Sequence, residues 1–442
     1  MRYINRLLKQ ITFVFCIILC ASYISSSALV YAGNTAEGDN ETQLLLGDTK
    51  SSKKIQKVSD VSKNTTEMRA VWISFLEYDA KGYTQAEFQK HIDDMFDNCV
   101  TLHMNTVIVH VRPFADAMYS SAYYPWSKYA SGKDGKNPGY DPLAYMVKAA
   151  HARDLQIQAW INPYRITNTG TSTNKMPKNS YAYKWSHAKK SSKRRNVLSY
   201  GGKLYYNPAK KDVQNLICKG VKEIVKNYDV DGVHMDDYFY PNMGAEYKKV
   251  FDAKEYKQYV KRSKKAGEQP QSIARWRRNN VNTLVSNIYK TIKNIDKDCQ
   301  FGISPAGNLD NLYLTFGNYV DVETWMGKKG YIDYICPQIY WSFTQQTCPY
   351  RETVDRWLDI PRIESVNVYI GLAAYRAGIS KKEARSLTDI QWSKSTNILK
   401  RQVLYNRKTN EVNGFMLFSY QSLIKTESKT KKEIKNLVSV LD

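Results

Sequence analysis

The chain is short of the groups that metal and redox chemistry use. Its 442 residues include seven Cys and six His. Cys16 and Cys20 fall in an apolar N-terminal stretch, which leaves Cys99, Cys218, Cys299, Cys336 and Cys348. Five is odd and no CxxC spacing occurs, so neither a disulfide framework nor a zinc site is expected. These thiols read as small buried apolar groups. The scattered histidines argue against a metal-dependent hydrolase such as a deacetylase, and no metal or cofactor is expected. No glycine-rich phosphate loop follows the first apolar strand, and there is no nucleophilic Ser elbow and no paired-His motif. Acidic residues are outnumbered, 42 against 65 Lys and Arg, for a net charge of +23. Nucleic acid is one partner for such a charge. However, no Cys/His finger, homeodomain-like pattern or RNA-binding motif accompanies it, so none is expected.

The N-terminus points to export. Arg2, Arg6 and Lys9 precede the apolar run Ile11 to Ala21, and Val30-Tyr31-Ala32 offers small residues at a cleavage spacing. The run is short of the roughly 20 residues of a membrane span. Residues 1–32 therefore read as a signal peptide, with peripheral membrane contact if it stays uncleaved. Leu19-Cys20 fits lipoprotein processing poorly, because Leu directly precedes the Cys. Residues 33–66 are polar and lack periodicity, as a disordered spacer does. A secreted or wall-associated basic protein has anionic cell-wall polymers, acidic glycans or the outer membrane surface as natural partners. Tyr (34) far exceeds Phe (13), which suits sugars, since a phenol ring stacks on a pyranose while its hydroxyl stays wet.

From residue 67 onward, short apolar strands alternate with amphipathic helices. The strands start with Met68 to Ser74, Asn105 to Val111, Gln156 to Asn162 and Gly232 to Tyr238. Phe301 to Pro305, Tyr331 to Tyr340, Val368 to Tyr375 and Gly414 to Tyr420 follow. Thr84 caps the first helix and Asp141-Pro142 opens the second. The later helices are expected at Asp212 to Asn227, Ser272 to Ile295, Tyr350 to Asp359, Trp392 to Arg407 and Leu423 to Val440. The fifth is poorly defined between Asn308 and Trp325. Eight such units predict an α/β fold, a (β/α)8 TIM barrel over 67–442, with long loops after strands 2, 3 and 4. An open doubly wound sheet is the alternative, and the missing phosphate loop disfavours it. The loops show no clear structure of their own in the sequence, are rich in Lys and Arg and are expected on the face where barrels bind substrate.

The fourth strand ends in Asp236-Asp237. An apolar strand running into two carboxylates is costly unless they are paired or solvated, which suggests an acid/base site. A solvated turn or a helix cap is the plainer reading. The other strand ends supply Ser74 and Glu77, Arg112 and Asp116, then Asn162, Tyr164 and Arg165. His234, Ser304 and Asn308, Gln338, Tyr340 and Trp341, Tyr375 and Arg376, Tyr420 and Gln421 complete the set. Carboxylates, amides and aromatics together are what a carbohydrate cleft needs.

Arg112-Pro113 with Asp116 to Tyr119, Tyr140 to Leu143, Ala159 to Arg165, Asp231 to Pro241 and Ile332 to Trp341 resemble the glycosyl hydrolase-like family 10 of bacteria. The resemblance covers roughly residues 67–400. It implies a (β/α)8 barrel of exported proteins, often lipoproteins or wall-associated, that hydrolyse glycans, with peptidoglycan the leading candidate. Gln158 departs from the pattern, since members often carry His there, so no catalytic role is carried over to it. Glu77 lies where the family varies.

Two mechanisms compete. In one, Asp236 is nucleophile or base and Asp237, Asp116 or Glu77 is the acid, but strands five and six end without an obvious acid. In the other, the substrate's acetamido oxygen is the nucleophile. Asp236 then holds the sugar and Asp237 is the general acid/base. Successive strand residues face opposite ways, so the pair converges only if the strand ends or bulges there. His234 shares the face of Asp236 and is either a hydrogen-bond donor or a buried structural His. Arg112, Asp116, Asn162, Tyr164, His234, Gln338, Tyr340, Trp341 and Glu77 are the expected substrate-binding residues. A barrel that binds wall glycan without cutting it is the rival reading.

Overall fold

The structure is a computed structural model that describes residues 67–314 and 317–441. The expected signal peptide 1–32 and spacer 33–66 lie outside the described residues. Strands β1 (Met68–Ile73), β2 (Thr106–Arg112) and β3 (Gln156–Ile161) come first, followed by the hairpin β4 (Val197–Tyr200) and β5 (Lys203–Tyr206). Then come β6 (Gly232–Asp236), β7 (Gln300–Ser304), β8 (Tyr334–Ile335), β9 (Asn367–Leu372) and β10 (Gly414–Leu417). All but the hairpin pair in parallel and close a barrel in the order β1-β2-β3-β6-β7-β8-β9-β10, with β10 returning to β1.

Strand alternation sorts side chains into two cores. Odd-numbered positions of β2, Val107, Val109 and Val111, pack outward under the helices. Ile108 points into the barrel with Trp72, Trp160, Tyr334, Tyr369 and Met416. Each fully buried aliphatic side chain contributes about 1.5–3 kcal/mol. The centre is unusually aromatic and needs room. A Cβ on Gly302 of β7 would stand 1.9 Å from the Tyr334 ring, so only glycine lets that ring cross the barrel.

Helix starts follow their caps. Thr84 and Glu87 form a reciprocal capping box at Gln85–Thr101, and Asp141 caps Pro142–His151. Ser272 caps Ile273–Lys293, and the third barrel helix is Lys211–Asn227. The structure departs from expectation where backbone donors are missing or diverted. The sixth strand is two residues long instead of ten, because Pro337 has no N–H and Gln338 makes only isolated bridges to Ala306 and Gly371. The expected helix from Trp392 breaks, with Ser395 Oγ taking the Asn397 N–H at 3.1 Å, and resumes as Ile398–Thr409. The last helix splits into Tyr420–Leu423 and Ser428–Val438 around the exposed stretch Ile424 to Glu427. The fifth unit has two short helices, Leu309–Leu312 and Val322–Gly327.

The long loops are not structureless. The loop after β3 holds helices Tyr181–Ser186 and Ser191–Arg194 and the hairpin, and the loop after β6 holds Ala253–Lys265. Arg195 joins the two, bonding Glu255 at 2.6 Å and the Phe251 carbonyl at 2.9 Å. Under the second loop, Arg277 Nη2 meets Asp252 at 2.5 Å, both fully buried. Tyr240, four residues after Asp236, donates to the same carboxylate at 3.0 Å. The chain leaving the acid pair is thereby fastened to the barrel helix behind it.

Candidate active site

β6 ends at Asp236, so the alternation lapses between the two acids and Asp237 is free to turn aside. Both are buried, at 6 % and 3 % exposure. Asp237 leans toward the next strand, where its carboxylate accepts the Ala306 N–H at 3.0 Å and bonds the Asn318 side chain. Asp236 accepts a long bond, 3.4 Å, from the Tyr238 N–H, with its own backbone N–H also favouring its charged form. Burial and the neighbouring Asp237 charge push its carboxyl up to about 8, against the pull of the nearby Arg165 guanidinium. Burial raises Asp237 as well, but the Ala306 and Asn318 donors favour its charged form. The two carboxyls are therefore unequal: burial and like charge act on Asp236 with little to offset them, while Asp237 has two donors that favour its charged form.

Arg165 lies 4.8 Å from the Tyr238 ring centroid and completes the charged side of the site. Gln338 keeps partial exposure and donates to the Ser304 carbonyl at 2.9 Å. Trp341 is half-buried beside it, and Gly307 is bare because a Cβ would meet Gln338 O at 2.4 Å and the Trp341 ring at 2.9 Å. Tyr340, 5 % exposed, stands edge-on to Tyr375 at 5.8 Å.

The floor is aromatic. His110 stacks on Trp160 at 3.9 Å, and Trp72 meets His234 edge-on at 5.4 Å. Sequence reasoning did not name His110, Trp160 or Trp72 as site residues. The signal was available, since His110 lies two residues before Arg112 and alternation turns it inward with Ile108. His234 is fully buried. Its Nδ1 is 2.6 Å from the Tyr334 hydroxyl and its Nε2 is 2.9 Å from Ser304 Oγ, while Tyr334 donates to Gln158. Burial lowers its pKa to about 3, so it is neutral and serves as a link in a barrel-spanning chain that ends at Ser304. Ser304 is the register partner of Asp236. Gln158, where a His was expected of the family, is an acceptor in that chain.

Other expected substrate contacts are enclosed. Tyr164 is fully buried in the outer core, its ring 6.5 Å from Phe239. Asn162 uses its Oδ1 to accept the Tyr164 and Arg165 N–H groups at 3.2 and 3.0 Å, which fixes the turn that presents Arg165. Arg112 is 1 % exposed with its guanidinium 4.5 Å from the Tyr124 centroid, because the β2–β3 register shifts between His110 and Arg112 and turns it away from the barrel. Glu77 lies between β1 and the end of β10. It accepts from Ser74 N–H at 2.6 Å, Ser419 Oγ at 2.7 Å and Gln421 N–H at 2.8 Å, and burial pushes it up to about 7. All four are enclosed by the surrounding chain. Asp116 stays half-buried within its own loop, bonded to Ser127, and burial pushes it up to about 6. Of the basic residues on the loop after β3, Arg195 is engaged by Glu255 and Lys193 by Asp212, each at 2.6 Å. Among the described residues no group of three or more His, Cys, Asp or Glu gathers in a form that could hold a metal.

Comparison with known proteins agrees with this geometry. The chain is 39 % identical over 387 residues to glycosyl hydrolase YngK of Bacillus subtilis (strain 168), spanning 81 % of this chain and 69 % of the relative. It is 33 % identical over 366 residues to glycosyl hydrolase DigH of Escherichia coli (strain K12), 77 % of each. The catalytic domain of a β-amylase from Paenibacillus polymyxa shares the fold, with a TM-score of 0.51 at 8 % identity over 86 % of this chain and all of the other. Residues 67–393 match the family described as Glycosyl hydrolase-like 10, and with an acid pair at the mouth of a closed (β/α)8 barrel the chain belongs to that family as a glycoside hydrolase.

Proposed function

We propose that the protein is exported and cleaves an N-acetylated glycan of the cell wall or an exopolysaccharide, peptidoglycan strands foremost, by substrate-assisted acid/base catalysis. The observation that carries this is the unequal acid pair. β7 and β8 run out into Ser304-Pro305-Ala306 and Cys336-Pro337-Gln338, with no carboxylate to act as a second, opposed group. Two adjacent carboxyls suit a sugar whose own acetamido oxygen is the nucleophile.

The electrostatics favour a division of labour opposite to the one expected by analogy with substrate-assisted barrels. Asp236, which retains its proton, is the general acid that protonates the leaving glycosidic oxygen. Asp237, held by the Ala306 and Asn318 donors that favour its charged form, accepts the acetamido N–H and aims the acetamido carbonyl oxygen at the anomeric carbon. The cyclic intermediate is then opened by water, which gives its proton to the Asp236 carboxylate. Trp341 and the His110–Trp160 stack offer apolar faces to sugar rings, and Gln338 reads a hydroxyl. Tyr340 and Asp116 border this cleft in the same reading.

The test is incubation with purified sacculi and with peptide-free glycan strands, with products read by mass spectrometry. Shortened glycans that vanish in Asp236→Asn and Asp237→Asn are expected. Equal cleavage of a glycan stripped of its N-acetyl groups rules out substrate assistance. A variant that cuts at the wild-type rate removes its residue from the chemistry.

A further inference from the structure

Away from the acid pair, the loop after β3 and the helix Lys211–Asn227 flank an open pocket of about 200 Å³. Tyr181, Trp185, Lys193, Asp212, Leu216 and Lys219 line it. It is smaller than the roughly 300 Å³ of a drug-sized site, which suits a single ring. Trp185 is the floor, 9 % exposed and held edge-on by Tyr206 at 5.7 Å. Tyr181 stands 5.2 Å from it with its ring partly open. Lys211–Asn227 begins where the loop from the barrel mouth ends, so the residues 212–219 that line the pocket belong to the mouth end of that helix.

The charge around this pocket is lopsided. Between Leu155 and Lys222 the sequence has fourteen Lys or Arg and a single acid, Asp212. This stretch carries more than half of the net charge of +23. The one acid lines the pocket and is already cancelled by Lys193 at 2.6 Å, with Asn196 donating at 3.3 Å. Lys219 is exposed, lies 5.9 Å from the Tyr123 ring centroid and pairs with no carboxylate among the described residues. Lys184, 5.4 Å from the Tyr181 centroid, adds a second cation at the rim. Had the pocket been built for a neutral sugar, nothing would require its lone acid to be neutralised beside unpaired lysine.

We propose that this pocket is an accessory saccharide site that holds one acidic sugar residue of a glycan chain, with the ring against Tyr181 and the carboxylate on Lys219. An aromatic face and a point cation are complementary to the apolar face and the carboxylate of such a sugar. The site tethers an anionic glycan on the flank of the barrel, at the end where the acid pair lies, without taking part in bond cleavage. Its binding needs no turnover, so it stands or falls separately from the acid-pair chemistry.

The full chain is titrated calorimetrically with polygalacturonate oligomers, with their methyl-esterified counterparts and with inorganic polyphosphate. Binding to the acid form is expected, and esterification should weaken it by about tenfold. Lys219→Glu and Tyr181→Ala should each weaken it by about fivefold, Lys219→Met by less, and Tyr181→Phe not at all. Thermal unfolding confirms that each variant is folded. Hydrolysis of short glycan strands should be unchanged in all four. Wild-type binding by Tyr181→Ala, equal binding of polyphosphate, or indifference to esterification reduces the pocket to plain surface charge and overturns the proposal.

Discussion

The Asp237 carboxylate accepts the backbone N–H of Ala306 at 3.0 Å, so the acid pair that ends β6 is tied to the end of β7. That bond makes two neighbouring residues of one type unequal. Asp237 has fixed donors that reward ionisation, whereas Asp236 has burial and a like charge. The pH behaviour of the enzyme follows from this inequality.

If Asp236 is the general acid of the proposed mechanism, turnover needs it protonated, and activity should fall as pH rises through about 8. Arg165 favours the charged form of Asp236. Its removal raises that pKa, and the alkaline limb of the rate profile of Arg165→Ala should move to higher pH. A limb that stays in place, or moves down, assigns the titration to another group.

The same carboxyl has a stability signature of opposite benefit. Its folded pKa of about 8 lies above the unfolded value near 3.8, so the folded state holds the extra proton. The stability this contributes is complete below about pH 4 and is lost as pH rises through 8. Asp236→Asn removes that loss. The inactive variant should be more stable than the parent above pH 8, by about 1–2 kcal/mol in urea unfolding, with little difference at pH 4.

Glu77 closes the barrel by collecting three donors from β1 and from beyond β10. In Glu77→Gln an amide NH2 replaces one of the accepting oxygens and faces a donor. A loss of about 1–3 kcal/mol is expected at pH 6, read from the midpoint of denaturant unfolding at unchanged slope. Unaltered stability dismisses Glu77 as a closing element.

Gly302 sits in β7 under the Tyr334 ring, whose hydroxyl bridges Gln158 and His234. Gly302→Ala forces that ring aside and should cost about 3 kcal/mol or more, with activity falling because Ser304, register partner of Asp236, is two residues away. Tyr334→Phe should cost about 1–3 kcal/mol for the orphaned Gln158 and His234 groups. A stable Gly302→Ala protein with normal turnover shows that the barrel centre is looser than drawn.

The sequence by itself determined the barrel, because strand and helix periodicities and caps such as Thr84 and Asp141 are local signals, and eight alternating units have few ways to bury both faces. It also marked the acid pair, since two carboxylates at the end of an apolar strand are conspicuous whatever surrounds them. It did not show which strand-end residues the fold encloses. Asn162, Tyr164, Arg112 and Glu77 have the right chemistry at the right strand ends, yet the register shift in β2 turns Arg112 away from the barrel, and the turn at Asn162 and the junction of β1 with β10 enclose the others. Nor did it divide the proton between Asp236 and Asp237. Analogy with substrate-assisted barrels suggested one assignment, and the Ala306 N–H, 69 residues from Asp237 in sequence, favours the other. Side-chain direction at a strand end and the field at a buried carboxyl are set by groups brought together from distant parts of the chain, and only the tertiary structure decides them.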